Sequence, residues 1–196
     1  MFAALTDLAR LFTGVTIRNR EEISSAAEVR LIQPRSLVSG PAIDLADTDR
    51  IARRPQLARQ LLTSGDLVLR TRGSRVEAAA FLDDGVSTVA SAPLIVLRPN
   101  REKVLPEYLQ WTLNESPEVR RALVASMRGS TVQALNIEDL SRIEVPLPPL
   151  ERQQAIVDAA ALARRAGELE ARLSELRKIH TANVLSEAAR QLTKES

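Results

Sequence analysis

Two rhythms of apolar and polar positions run along this chain, and they meet at a cluster of prolines. Up to about residue 147 the apolar residues come in short runs cut by Gly, Pro, Asp and Ser. After Pro149 there is no further proline and a single glycine, Gly167, while leucine and alanine recur at spacings of three and four. The first rhythm predicts a mixed α/β globular part, and the second predicts one long helix. The break falls at Pro146-Leu147-Pro148-Pro149, where the residue before each proline is pushed to extended backbone. The expected organisation is therefore a domain over 1–147 and a helical segment over 148–196.

Within the first part, Leu5, Leu8, Ala9 and Phe12 predict a helix over Thr6–Phe12, with Thr6 as its N-cap and Gly14 as its stop. Val29–Ile32 reads as a strand. Ile43–Ile51 alternates weakly and is rich in aspartate, so it reads as a strand or a loop, and Pro55–Leu62 reads as a short helix. Leu67–Leu69, Ala78–Leu82, Val86–Ala90 and Leu94–Leu97 follow as strands, separated by polar and glycine or proline turns. Such short strands predict a mostly antiparallel, twisted mixed sheet. Pro106–Leu113 predicts a helix with Leu109 and Leu113 on one face and Tyr108 and Trp111 as anchors. Pro117–Ala125 predicts another, with Val119, Leu123 and Val124 as its apolar set. Ile137–Leu140, capped by Asn136, is a third, and Ile143–Leu147 is the last strand.

From Pro149 onward a heptad can be placed with a at Ala159 and d at Leu162. It continues through Ala166, Leu169, Leu173 and Leu176 and turns polar at His180 and Asn183. Such a seam predicts a coiled-coil type helix of about 40 residues, roughly 60 Å long. No second long helix is legible to cover it, so a partner is required. Leu162, Leu169, Leu173 and Leu176 are the expected dimerisation residues, with His180 and Asn183 setting register.

Composition narrows the chemistry. At 196 residues there is room for one domain with an extension, and 44% apolar with 27% charged residues argues against bulk disorder. Aromatics are only 3%, so aliphatic side chains must fill the core. The absence of cysteine excludes disulfides and thiol catalysis and fits a cytoplasmic location. No leader segment or membrane span is legible. His180 is the single histidine, and no metal-ligand spacing, phosphate-cradling glycine loop or dinucleotide fingerprint is present. An Asn-Pro-Pro-aromatic methyltransferase motif is missing, and Asp66, Asp83 and Asp84 do not fit a nuclease Asp…Glu-x-Lys pattern. The expectation is a chain with no catalytic residue, no metal and no cofactor.

What remains is arginine on loops. Arg70, Arg72 and Arg75 surround Gly73-Ser74 directly after a strand, and Arg128 precedes Gly129-Ser130-Thr131, with Gln133 two residues on. Arg18 and Arg20 lie in a polar segment nearer the start. Guanidinium groups grip phosphate or pair with guanine edges, an amide can read adenine, and small residues let backbones approach closely. These eight positions, Ser130 among them, are the candidate DNA contacts. Arg-Gly-Ser turns also occur as plain solvated surface. With a net charge of only +2, DNA binding requires the arginines to gather on one surface.

The order of several short motifs resembles the specificity (S) subunits of type I restriction–modification systems. Leu8-Ala9 with Phe12-Thr13-Gly14 is similar to the family's opening segment. Ser64-Gly65-Asp66 before Leu67–Arg70 and an Arg-Gly-Ser turn, then Leu97-Arg98-Pro99, follow in the family's order. The aromatic helix from Pro106 to Leu113, Gly129–Gln133, Pro146–Leu150 and the helix opening Glu151–Val157 complete the series. The resemblance departs at Arg152, where the family usually has Glu before Gln. It also departs in size, since an S subunit usually has two recognition domains, and this chain looks like half of one. It implies a single target-recognition domain that binds double-stranded DNA, with Val15–Arg54 deciding specificity. The implied partners are a methyltransferase subunit and, as an open third member, a restriction or translocase subunit. A second copy of the chain would pair through the helix. Two other readings stay open: an assembly protein that pairs with an S subunit without reading DNA, and a recognition module of another defence complex.

Overall fold

The computed structural model describes residues 1–17, 27–37, 42–71, 76–127 and 134–194. It divides the chain into two compact units, Met1–Gln154 and Ala155–Ser196. The first unit opens with β1 (Phe2–Ala4), α1 (Leu5–Leu8), β2 (Ala9–Thr13), β3 (Val29–Ile32) and β4 (Asp49–Ile51). It continues with β5 (Leu67–Arg70), β6 (Glu77–Ala80), β7 (Thr88–Ala90) and β8 (Ile95–Pro99). Helices α2 (Pro106–Glu115), α3 (Pro117–Ala125) and α4 (Ile137–Ser141) lead to β9 (Glu144–Pro146) and then to α5 (Leu150–Lys194). Two 3-10 turns, Pro34–Ser36 and Pro55–Arg59, lie in the first half.

The described strands fall into three small sheets. The largest is antiparallel, in the order β2-β8-β5-β6. Its inner strands carry unbroken apolar runs because both faces are covered: Leu67, Val68, Leu69, Val96 and Leu97 are fully buried. One face packs Val68, Val96 and Ala79 with Phe81, Ile32 and Leu94. The edge strand β6 lies against α2. The Asn114 side chain there accepts from the Ala78 backbone N–H at 2.8 Å and donates to the Ala78 carbonyl at 2.8 Å. A helix side chain thus does for β6 what a further strand would. The second sheet, β4-β3-β7, holds a parallel pair, β3 with β7, over a core of Val29, Leu31, Ile51, Leu57 and Val89. The third pairs β1 with β9, Phe2 opposite Pro146.

The predicted opening helix needs correction. Only Leu5–Leu8 is helical, and Ala4, not Thr6, stands at the cap position. Ala9–Thr13 is a strand because β8 claims it along its whole length, from Ala9 opposite Pro99 to Thr13 opposite Ile95. The helical spacing of Leu5, Leu8 and Ala9 is real burial, but a turn followed by a strand delivers it. Pro55–Arg59 is a 3-10 turn, and only Asp49–Ile51 of the aspartate-rich stretch is a strand. Val124 is exposed, whereas Val119 and Leu123 are buried as expected. Asn136 caps α4 as expected, accepting from the Asp139 N–H at 2.7 Å.

In the second unit α5 is continuous helix, and with its first turn in the first unit it has 45 residues, roughly 65–70 Å at ~1.5 Å per residue. Leu162, Leu169, Leu173 and Leu176 are all exposed. Ile179 and Val184 are exposed as well, flanking the polar positions His180 and Asn183. No described helix is long and apolar enough to cross a membrane.

Candidate nucleic-acid interface

The short motifs separated along the sequence meet one another in the first unit. Asp66 is buried, and its carboxylate accepts from Arg98 twice, from Nε at 2.8 Å and from Nη2 at 2.6 Å. It also accepts from the Thr63 N–H at 2.8 Å, and Arg98 Nη2 donates onward to the Leu61 carbonyl at 2.7 Å. The Gly-Asp and Leu-Arg-Pro motifs are therefore two halves of one bidentate ion pair. Asp66 raises the Arg98 pKa against the opposing pull of burial. Gly65 is favoured by its φ of +89°, and its bare Cα leaves room for the Arg101 guanidinium, which donates to the Ser64 carbonyl. Gly14 likewise lets its backbone approach Ala90 and Ser91 more closely than any side chain would permit.

The aromatic helix and the proline cluster meet in the same way. Tyr108 is buried, and its hydroxyl donates to the Pro146 carbonyl at 2.8 Å. Gln153, in the first turn of α5, is wholly buried. Its Oε1 accepts from the Leu105 N–H at 2.9 Å, and its Nε2 donates to the carbonyls of Lys103 at 3.1 Å and Pro148 at 2.8 Å. Arg152 beside it is exposed. The departure noted at Arg152 thus falls on a solvated position, while the buried amide that fixes the turn is present. Asp84, one of the remaining aspartates, accepts both hydrogen bonds of the Arg30 guanidinium at 2.9 and 2.8 Å, which lowers its pKa.

Of the eight candidate DNA contacts, Arg18, Arg20, Arg72, Arg75, Arg128, Ser130 and Gln133 lie outside the described residues. Arg70 is described, and it faces inward. Its Nη2 donates to the carbonyls of Pro34, at 2.6 Å, and of Leu37. Arg70 therefore fastens the 3-10 turn Pro34–Ser36 to the end of β5.

Described residues bordering two of these segments meet. The Thr71 carbonyl accepts from the Leu135 N–H at 2.9 Å, so the chain just before 72–75 touches the chain just after 128–133. Arg70 joins both to Leu37, which precedes 38–41. A cleft of about 420 Å³ is lined by Arg35, Arg70, Thr71 and Pro93. A second, of about 310 Å³, is lined by Thr16, Ile17, Gln33, Arg35 and Ser91. Arg35 borders both. Its Nε donates to Asp47 at 3.1 Å and its Nη2 to Asp49 at 2.8 Å, and Asp47 foremost, then Asp49, raises its pKa. Sequence reading missed Arg35; the signal available was the aspartate-rich stretch itself, whose charge needed a partner. No cluster of metal-ligating residues occurs among the described residues.

A mixed α/β unit and a long helix have counterparts among solved structures of S subunits. The chain superposes on the S subunit of a type I restriction–modification system from M. genitalium with a TM-score of 0.54 and 15% identity, over 83% of this chain and 38% of that one. The HsdS subunit from Thermoanaerobacter tengcongensis gives 0.66 and 24%, over 91% and 45%. A chain from a structure describing complex assembly of a type I system gives 0.67 and 22%, over 91% and 45%. At these identities the likeness is one of fold. In sequence, 63 residues are 33% identical to a protein of Methanocaldococcus jannaschii named as the type I restriction enzyme MjaX specificity subunit, covering 32% of this chain and 15% of that protein. The family model for the type I restriction modification DNA specificity domain matches residues 61–173, more than half of the chain. This chain belongs to that family. It spans less than half the length of each of these relatives.

Proposed function

We propose that this chain is a non-catalytic, sequence-specific DNA-binding subunit that directs a separate cytoplasmic methyltransferase to its target. A restriction subunit would be a further member of the complex. The observation that carries the reading is the convergence of described residues bordering the arginine segments, through Thr71, Leu135 and Arg70. The borders of two arginine-bearing stretches far apart in sequence, 72–75 and 128–133, meet there, which supports the gathering of charge that a net charge of only +2 demands of a DNA binder. The recognition domain would occupy the first unit, and the helix would serve assembly. Two copies pairing through Leu162, Leu169, Leu173 and Leu176 would present two identical readers, and their target would be a split palindrome. The uncovered leucines also favour a second reading, an assembly protein that pairs with an S subunit and reads no DNA.

A mobility-shift titration of the wild type, with and without a cognate methyltransferase, separates the two, and replacing Arg72 and Arg128 together with Ala tests the contacts. A titration of that variant over a salt series is expected to show weaker binding and a salt slope lower by about one for each phosphate that is no longer neutralised. Unchanged affinity and slope in a folded double variant would remove these two arginines from the DNA contacts, whereas a wild-type chain that shifts no DNA, with or without a cognate methyltransferase, would favour the assembly reading.

A further inference from the structure

Arg35 is an exposed arginine held from three directions. Its 3-10 turn is fastened by Arg70 to Pro34 and Leu37 on either side. The stretch carrying the two aspartates is tied to the same turn. Ser36 Oγ donates to the Asp47 carbonyl at 2.7 Å, and the Asp44 N–H donates to the Ser36 carbonyl at 2.8 Å. Asp47 and Asp49 then take Nε and one hydrogen of Nη2. Nη1 and the second Nη2 hydrogen, the end-on fork of the guanidinium, have no hydrogen-bond partner among the described residues. Long exposed side chains are seldom fixed this way, because ordering them costs rotamer entropy. Here the arginine is fixed between two clefts, one of which Thr71 also lines.

Charge decides what such a fork can meet. Arg35 with Asp47 and Asp49 has a formal net charge of −1, so the carboxylates that hold the guanidinium offset its pull on an approaching phosphate. A neutral pair of acceptors depends less on that pull. The O6 and N7 of guanine are such a pair, and they match a planar fork in the major groove. We propose that Arg35 reads guanine in the DNA target, aimed by Asp47 and Asp49, and that Arg70 is a positioning residue behind it. This rests on the DNA-binding reading given above.

The test is selection from a randomised duplex library by the full chain, followed by sequencing. Wild type is expected to enrich a motif with a fixed guanine. Arg35→Ala should lose the preference at that position alone and keep the rest of the motif. Arg35→Lys, which keeps the charge and lacks the fork, should lose it too. Placing 7-deazaguanine at that position removes the N7 acceptor. It should weaken wild-type binding about tenfold and leave Arg35→Ala indifferent. A double Asp47→Asn, Asp49→Asn variant should relax the same position, and circular dichroism confirms that each variant is folded. An unchanged motif in Arg35→Ala overturns the inference while DNA reading stands. Uniform loss of affinity on all sequences, with a lower salt slope, makes Arg35 a phosphate contact and also overturns it. If wild type enriches no motif, sequence reading itself fails and the inference falls with it.

Discussion

Leucine plays opposite parts in the two units. In the first, Leu5, Leu31, Leu67, Leu97, Leu109 and Leu113 are 0% exposed. In the second, Leu162 is 72% exposed, Leu169 56% and Leu173 47%. Burying a leucine is worth ~1.5–3 kcal/mol in either place. The first unit gains that free energy within one chain, at any concentration. The helix gains it only when something covers its seam, which no described residue of this chain does. Stability of the first unit and association of the second should therefore respond to different substitutions.

The largest expected effect is on the ion pair at the centre of the first unit. Asp66→Ala leaves the Arg98 guanidinium and the Thr63 N–H without their acceptor. It should lower stability by about 3 kcal/mol, read as a shift in urea midpoint, while the association state of the folded fraction is unchanged. A midpoint within error of wild type would remove the pair from its structural role. Next comes Gln153→Ala, which strands the Leu105 N–H and two carbonyls. A loss of about 2 kcal/mol is expected there, against less than about 0.5 kcal/mol for its exposed neighbour in Arg152→Ala. Equal effects at the two positions would contradict the burial of Gln153. Smallest for the first unit is Leu169→Asp with Leu173→Asp. Its unfolding midpoint should stay within about 0.5 kcal/mol, yet light scattering at micromolar concentration should show monomer where wild type is a dimer. A wild-type monomer, or a dimer indifferent to both aspartates, would release the seam from its proposed part.

How far the sequence could be read differed with the range of the forces involved. The long helix was legible because its period is local, and so were the Asn136 cap and the buried strand Leu67–Leu69. The opening segment misled because Leu5, Leu8, Ala9 and Phe12 satisfy a helical spacing, while β8, which takes Ala9–Thr13 as a strand, lies far along the chain. The motifs announced a family but not their chemistry. Asp66 and Arg98 are 32 positions apart, and no periodicity links them. Nothing in the sequence showed that Arg70 donates to the backbone carbonyls of Pro34 and Leu37, 36 and 33 positions away. Arg35 was invisible for the same reason, since its two carboxylates lie 12 and 14 positions away.

The pairing of β1 with β9 has an evolutionary side. Phe2 lies opposite Pro146 and Ala4 opposite Glu144, so the strand that opens the first unit and the strand that leads to the helix are immediate neighbours. A fold whose entry and exit stand side by side behaves as a cassette. Everything between those two strands can diverge, or be exchanged wholesale by recombination, provided the replacement returns the chain to the same place. Gln153 and the Pro146 carbonyl then form the socket that any incoming cassette must match, as Leu105 and Tyr108 match it here. On the DNA-reading proposal, new specificities would arise by shuffling at that junction without redesign of the helix that follows.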